Sequence, residues 1–428
     1  MEIARTFRPA LVSWNLTRKC NLNCPHCYLD AGDADEDELT TDECLAVIDE
    51  LDALGTEMLI LTGGEPLLRR DIYDIASAAS ERGMWVVMGT NGVLVNEHVA
   101  RKMIECGIKG VGISIDSVDP ARHDAFRGGP GSTVSAWKHS MRALEICREH
   151  GLEVLVQSTI TRDNRDELSD LVALARDAGA WSFNLYFLVR TGRGMEMNDL
   201  TAEETDECLR ELIGFQDEAA PMLVRAKCAP QFKQVAFELG RGGLESGGCM
   251  AGTEYCRIAP QGDVTPCPYM DLVAGNVRDS GFAAVWNDSP VLNALRDPSA
   301  LGGRCGACEF SELCGGCRCR AYAATGDPLA EDPACTYVPG TLSLEPPTPV
   351  TLSDPVLERL ERIPIAFIRS KVRSGVETYA ARHGIRHVTS EDMDAALAGS
   401  RAMSFPDAAM NGLFSGKHRR PTASPPRS

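Results

Sequence analysis

Three cysteines in Cys20-Asn-Leu-Asn-Cys24-Pro-His-Cys27 restrict this chain more than any other feature. A C-x3-C-x2-C run supplies three thiolates, whereas an iron–sulfur cluster takes four ligands, so one iron is left open. The same thiols with His26 would complete a zinc site, but zinc motifs usually join one C-x2-C to a second pair, not to C-x3-C alone.

About forty residues on, Met58-Leu-Ile-Leu-Thr62 reads as a buried strand running into Gly63-Gly64-Glu65-Pro66, where glycines let the backbone approach a ligand. From Leu11 to about Leu188, β-rich runs alternate with helix-patterned segments, the sequence form of repeated βα units around a parallel sheet. Six strands are expected, at Leu11–Leu16, Met58–Thr62, Trp85–Thr90, Gly110–Asp116, Glu153–Thr159 and Trp181–Phe187. Each motif falls at the C-terminal end of a strand, where α/β barrels keep their active sites. Six units make an incomplete barrel; a doubly wound sheet shows similar alternation, so periodicity leaves both open.

At 428 residues and 44 % hydrophobic content the chain can fill more than one core. No run approaches the length of a membrane-spanning helix and the first residues lack a signal peptide's apolar stretch, so a cytoplasmic protein is expected. Its 17 cysteines include C-x2-C groups in a chain without an export signal, which suits iron–sulfur ligation better than disulfides. Cys44, Cys106, Cys147 and Cys208 sit at helical spacing among apolar residues and read as core thiols, whereas Cys228, before Pro230, is left unassigned. The net charge of −18 argues against nucleic acid as a partner. Charge is uneven, however: residues from Asp354 onward hold 12 Lys/Arg against 8 Asp/Glu, and the remainder 31 against 53. That asymmetry marks a separate C-terminal unit.

Residues 1–194 therefore form the barrel unit, and 195–340 a glycine- and cysteine-rich module. A linker over 341–353, a small helical domain over 354–400 and a polar, disordered tail over 401–428 complete the expected order. The fold class is α/β: an incomplete (β/α)6 TIM-like barrel with a cysteine-rich auxiliary cluster domain and a small helical C-terminal domain.

The cysteine triplet and the Gly-Gly-Glu-Pro turn together resemble the radical S-adenosylmethionine enzymes. The resemblance implies that Cys20, Cys24 and Cys27 hold a 4Fe-4S cluster whose open iron binds S-adenosyl-L-methionine, with one-electron cleavage giving a 5′-deoxyadenosyl radical. It implies cofactor contacts from His26, Gly63, Gly64, Glu65, Pro66, Thr90 and Ser114, and a reductant such as flavodoxin or ferredoxin; it names no catalytic side chain. Cys249, Cys256, Cys267, Cys305, Cys308, Cys314, Cys317 and Cys335, with Gly262 separated from Cys267 by four residues, resemble the SPASM extension, which holds one or two auxiliary clusters. Carried over, Cys249, Cys256, Cys267 and Cys317 hold one cluster and Cys305, Cys308, Cys314 and Cys335 the other; Cys319 competes with Cys317, and zinc remains the alternative metal. The loop Arg190-Thr-Gly-Arg193-Gly194 offers guanidinium groups to an anion, or is simply solvated.

Two further likenesses point to the substrate. The stretch from Cys256 to Val277 resembles enzymes acting on iron tetrapyrroles in d-type and alternative haem synthesis. Leu360 to Arg369 and the following residues resemble the C-terminal segment of light-independent protochlorophyllide reductase. The implied function is hydrogen abstraction from a haem-precursor side chain, with decarboxylation or deacetylation as outcome, and Arg369, Lys371 and Arg373 meeting the acidic substrate. Modification of a peptide is the alternative, for which a recognition domain ahead of the barrel is expected although only about ten residues precede Leu11. A non-catalytic electron-transfer or scaffold protein is the other.

Overall fold

The structure is a computed structural model and describes residues 7–128, 133–241, 248–344, 350–363 and 366–399. The six expected strands are present in the expected order: β1 Leu11–Asn15, β2 Met58–Thr62, β3 Trp85–Thr90, β4 Gly110–Ser114, β5 Glu153–Ile160 and β6 Ser182–Phe187. All neighbours among them pair in parallel, with helices on the crossovers.

The sheet does not stop there. β7 Leu223–Lys227 adds in parallel beside β6, and β8 Tyr255–Ile258 adds in parallel beside β1 on the opposite side. β9 Asp263–Thr265 and β10 Gly275–Asn276 continue antiparallel from β8. The order β10-β9-β8-β1-β2-β3-β4-β5-β6-β7 has two distinct edges, so the barrel is open.

Alternation along each strand sorts its side chains. Val12 and Trp14 of β1, Leu59 and Leu61 of β2, Val86 and Met88 of β3, and Phe183 and Leu185 of β6 face the helices in one continuous core. That core takes in Cys256, Ile258, Val264, Phe282, Trp286 and Leu292, so the cysteine-rich segment finishes the same core that the barrel begins. Helix Val277–Asp288 lies against helix Thr41–Ala53, where Glu50 accepts from the Ala283 N–H at 2.8 Å. Within it Gly281 takes φ +75°, and a Cβ there would stand 3.0 Å from the Glu50 carboxylate.

Residues 350–399 have their own core of Val356, Leu360, Ile363, Val372, Val376, Ala380, Val388, Met393 and Ala396. They carry three helices and a two-stranded parallel sheet, β11 Thr351–Leu352 with β12 His387–Val388. The expected helical unit thus starts on a strand inside the expected linker, and the tail over 401–428 lies outside the described residues. No helix among the described residues is long and apolar enough to cross a membrane.

Cys44, Cys147 and Cys208 are fully buried and Cys106 nearly so, each within the barrel core. Burial pushes the Cys147 and Cys208 thiols up to about 12. Cys147→Ser puts a hydroxyl where no partner waits, which is expected to cost about 1–3 kcal/mol in denaturant unfolding while leaving iron content unchanged. Loss of iron in that variant would move Cys147 out of the core-thiol class.

Candidate functional site

Cys20, Cys24 and Cys27 lie half-buried on the loop that follows β1. The loop is tied down by backbone: Cys20 N–H bonds the Gly32 carbonyl at 2.8 Å, Gly64 N–H bonds Thr17 O at 2.7 Å and Glu65 N–H bonds Lys19 O at 2.8 Å. A Cβ on Gly63 would stand 2.5 Å from Thr17 O, and one on Gly64 would collide with the Arg18 and Lys19 carbonyls. The two glycines therefore admit a second stretch of backbone, that of the cysteine loop itself.

Glu65 is fully buried beside them. It accepts from the Thr90 hydroxyl at 2.8 Å, from Asn91 N–H at 2.9 Å and from Leu67 N–H at 3.2 Å, the last capping the short turn that begins at Pro66. Burial raises its carboxyl to about 7 against these donors. Thr90 thus spends its hydroxyl on Glu65, while Asn91 reaches Asn21 at 2.8 Å and lies 3.9 Å from the Cys20 sulfur. Ser114 ends β4, half-buried.

The His26 ring stacks on Phe126, with centroids 4.1 Å apart and planes 16° apart. Its Nδ1 is out of contact with solvent and has no hydrogen-bond partner, and burial pulls the imidazole down to about 3, so it is neutral. Behind it Arg127 donates to buried Asp116, whose carboxyl falls below the usual range because this cation outweighs the effect of burial. Arg127 also offers its carbonyl to the Cys24 thiol at 3.0 Å.

Arg193 spends two of its three guanidinium nitrogens on the cysteine loop and leaves Nη2 buried without a partner among the described residues. Its guanidinium donates to Cys24 O at 2.9 Å, Ala31 O at 2.8 Å and Asp30 at 2.9 Å, clamping the cysteine loop from the far side of the sheet. Arg190 donates to Met195 O within its own turn.

The donors around the three sulfurs suit thiolate ligation. Leu22 N–H points at the Cys20 sulfur at 3.5 Å and Ala31 N–H at the Cys27 sulfur at 3.4 Å. Burial pushes Cys20 up to about 12 and Cys24 above its ordinary value, so without metal these are thiols whose protons a bound iron replaces. Among the described residues no group of three or more His, Cys, Asp or Glu side chains is arranged to hold a single metal ion.

Inside the sheet, Tyr28 meets Tyr269 edge-on at 4.9 Å and its hydroxyl accepts from Asn15 at 2.9 Å; Tyr186 and Tyr255 complete the group. Asn15 also receives Arg257 at 2.5 Å. On β7, Arg225 and Lys227 face the same interior, opposite Asn184 and Tyr186 in register, and neither makes an ion pair among the described residues. Burial lowers Lys227 to about 8 and Arg225 to about 10. Both lie on a strand whose Leu-Val-Arg-Ala-Lys run carries no strong β pattern, and sequence reading passed over it.

Of the auxiliary cysteines, Cys305, Cys308, Cys314 and Cys335 form one group. The sulfurs of Cys305, Cys308 and Cys314 each accept a backbone N–H at 3.4 Å, from Asp332, Phe310 and Gly316. Gly316 has φ +66°, and a Cβ on it would stand 2.7 Å from the Cys305 sulfur. Cys317 and Cys319 pack with Cys228 and Cys267, and Cys249 interacts with Cys267 and Cys317. The Cys319 thiol lowers Cys317 to about 7 against the effect of burial. Cys249 N–H bonds Cys314 O at 3.0 Å, joining the two groups.

Cys256, placed with Cys249, Cys267 and Cys317 on the sequence pattern, is not brought to them. It is fully buried in the helix-facing core, near Arg296, because alternation on β8 turns Tyr255 and Arg257 inward and Cys256 outward. The expected basic cluster of the C-terminal unit is also spent locally: Arg369 donates to Ile363 O at 2.7 Å and Arg373 pairs with Glu377 at 2.8 Å. The Lys371 side chain lies outside the described ones.

Residues 14–175 match the Radical SAM superfamily, 249–318 an iron-sulfur cluster-binding domain, and 357–396 the proto-chlorophyllide reductase 57 kD subunit. The chain is 37% identical over 351 residues to AdoMet-dependent heme synthase from Methanosarcina barkeri, covering 79% of this chain and 99% of that protein. It is 37% identical to pre-heme d1 synthase from Dinoroseobacter shibae, covering 78% and 88%. The fold is similar to Streptococcus suis SuiB bound to S-adenosylmethionine, with a TM-score of 0.63 at 16% identity over 77% of this chain and 78% of that one.

Removing the clamp tests its role. Arg193→Met is expected to weaken iron retention at the Cys20, Cys24 and Cys27 loop by about 10- to 100-fold, the usual effect of losing an outer-shell partner. Iron release to a chelator, followed anaerobically, measures it; an unchanged release rate would limit Arg193 to surface pairing.

Proposed function

Because the chain belongs to the Radical SAM superfamily, we propose that this enzyme acts on the side chains of an iron tetrapyrrole in haem biosynthesis, by oxidative decarboxylation or deacetylation. The observation that carries the reading is the match along 99% of a heme synthase at 37% identity. S-Adenosyl-L-methionine and a cluster, when bound, supply one-electron cleavage and hydrogen-atom abstraction. An external one-electron donor such as flavodoxin or ferredoxin, and a cytoplasmic setting, belong to the same proposal.

The chain's own groups divide the work. Cys20, Cys24 and Cys27 are proposed as the ligands of the cleaving cluster, on a loop held by Arg193 and by the Gly63–Gly64 backbone. Gly63, Gly64, Glu65, Pro66, Thr90 and Ser114 are proposed to shape the cofactor's place at the strand ends. Glu65 does so by holding the β2 turn to Thr90 and Asn91. Neutral His26, with an apolar ring face and an unpaired Nδ1, suits contact with a nucleobase better than a charged imidazolium would. The tyrosine-lined interior excludes water from a reactive intermediate. Lys227, and Arg225 over the Trp181 ring, offer positive charge without a carboxylate partner among the described residues to substrate carboxylates, in the role first expected of the C-terminal unit.

The division into a barrel unit over 1–194 and an auxiliary module over 195–340 is proposed as one of function, since β7 and β8 join the same sheet. Residues 354–400 are proposed as a separate substrate-presenting or docking unit.

Anaerobically reconstituted protein given reductant, cofactor and iron porphyrins with propionate or acetate side chains tests the reading by product mass. Loss of carbon dioxide and two hydrogens per side chain marks oxidative decarboxylation, and loss of an acetate unit marks deacetylation. Cofactor cleavage with every porphyrin unaltered would overturn the tetrapyrrole assignment. Lys227→Met is expected to raise KM about tenfold, as removal of one charge-assisted hydrogen bond does, with a smaller change in kcat and recovery in Lys227→Arg. An unmoved KM would remove Lys227 from substrate binding.

A further inference from the structure

A tetrathiolate cluster needs four corners, and the first auxiliary group brings together Cys249, Cys267 and Cys317, with Cys319 between the last two and spending its S–H on them. The sequence pattern fills the fourth with Cys256. For Cys256 to turn inward, β8 would have to slip one residue against β1, breaking the pairing of Val12 with Cys256 and burying Tyr255 and Arg257 among the helices. The continuous core on that face, with Trp286 and Leu292, excludes such a slip.

Cys228 stands where the fourth corner is missing. It follows β7 directly, and it packs with Cys267, Cys317 and Cys319 in an enclosed group that includes Val189 and Met270. Its backbone has φ +59°, a left-handed conformation that a residue with a Cβ adopts only where its surroundings impose it. Cys228 lies outside the segment 249–318 that matches the iron-sulfur cluster-binding domain.

We propose that Cys228, together with Cys249, Cys267 and Cys317, ligates the first auxiliary cluster, with Cys319 donating its S–H to Cys317 and Cys256 taking no part. This rests on the reading of that group as a cluster site. The geometry gives the assignment a second consequence. Cys228 follows β7 at one edge of the open sheet, whereas Cys267 follows β9 next to the other edge. A cluster ligated by both joins the two edges across the mouth of the barrel, a closure that no strand pairing among the described residues supplies.

The test uses the full chain, reconstituted anaerobically, as wild type, Cys228→Ala, Cys228→Ser, Cys256→Ala and Cys319→Ser. Iron and sulfide are counted, the reduced clusters are compared by EPR and Mössbauer spectroscopy, and amide exchange is followed at β7 and β9. About twelve irons are expected in the wild type from three four-iron sites, falling to about eight in Cys228→Ala. Cys228→Ser, which keeps the volume of the side chain, is expected to shift the EPR signal of one cluster by placing oxygen on an iron, and it carries the test should the alanine variant not fold. Faster exchange at both β7 and β9 in Cys228→Ala supports the closure. Cys256→Ala and Cys319→Ser are expected to keep twelve irons and the wild-type spectra. An unchanged spectrum in Cys228→Ser, or a shift in Cys256→Ala or Cys319→Ser instead, overturns the assignment alone. A wild type with iron at two sites only, or with tightly bound zinc, overturns the cluster reading and the assignment with it.

Discussion

Two backbone hydrogen bonds, Gly64 N–H to Thr17 O and Glu65 N–H to Lys19 O, hold the turn after β2 against the loop after β1. They form only because neither glycine carries a Cβ. From that contact the rest of the top of the barrel is fixed in turn. Glu65 is carried inward to Thr90 and Asn91 at the end of β3, and Asn91 returns to Asn21 in the cysteine loop. Strands one, two and three are thereby registered to one another at the level where chemistry occurs, by groups that are buried and paired. A buried carboxylate with three donors is costly to disturb, since each lost partner leaves a desolvated group behind.

The rest of the cysteine loop is held from a distance. Arg193, 169 residues beyond Cys24, reaches its carbonyl and two further acceptors, and Arg127 sets Asp116 behind His26. A loop with three cysteines and little regular structure could not by itself keep three sulfurs in place. Much of its order comes from guanidinium groups on later strands and helices, which is why the residues that matter here are scattered along the chain.

That scatter decides what the sequence made legible. β1 to β6 could be read because their apolar alternation is strong, and the cysteine triplet because its spacing is local. β7 could not: Arg225 and Lys227 face an interior lined with polar groups, so the strand lacks the pattern that a buried strand usually shows. β8 was hidden for the same reason by Tyr255 and Arg257. The helix-facing position of Cys256 could not be read, because spacing along the chain says nothing about which face of a strand a side chain takes. Cys228 was left open because its neighbours lie 21 or more residues away in sequence and meet it only through the closing of the sheet. The motif of Arg193 is that of an exposed loop, whereas the acceptors it reaches, two carbonyls and the Asp30 carboxylate, lie 162 or more residues away, where no sequence pattern advertises them.

The backbone hydrogen bond from Cys249 N–H to Cys314 O has a consequence for assembly. Cys249 belongs to one thiol group and Cys314 to the other, and the 3.0 Å contact makes the position of each backbone a condition on the other. Ordering either group restricts the conformations open to its neighbour, so a change that loosens one thiol group is passed to the other through backbone alone.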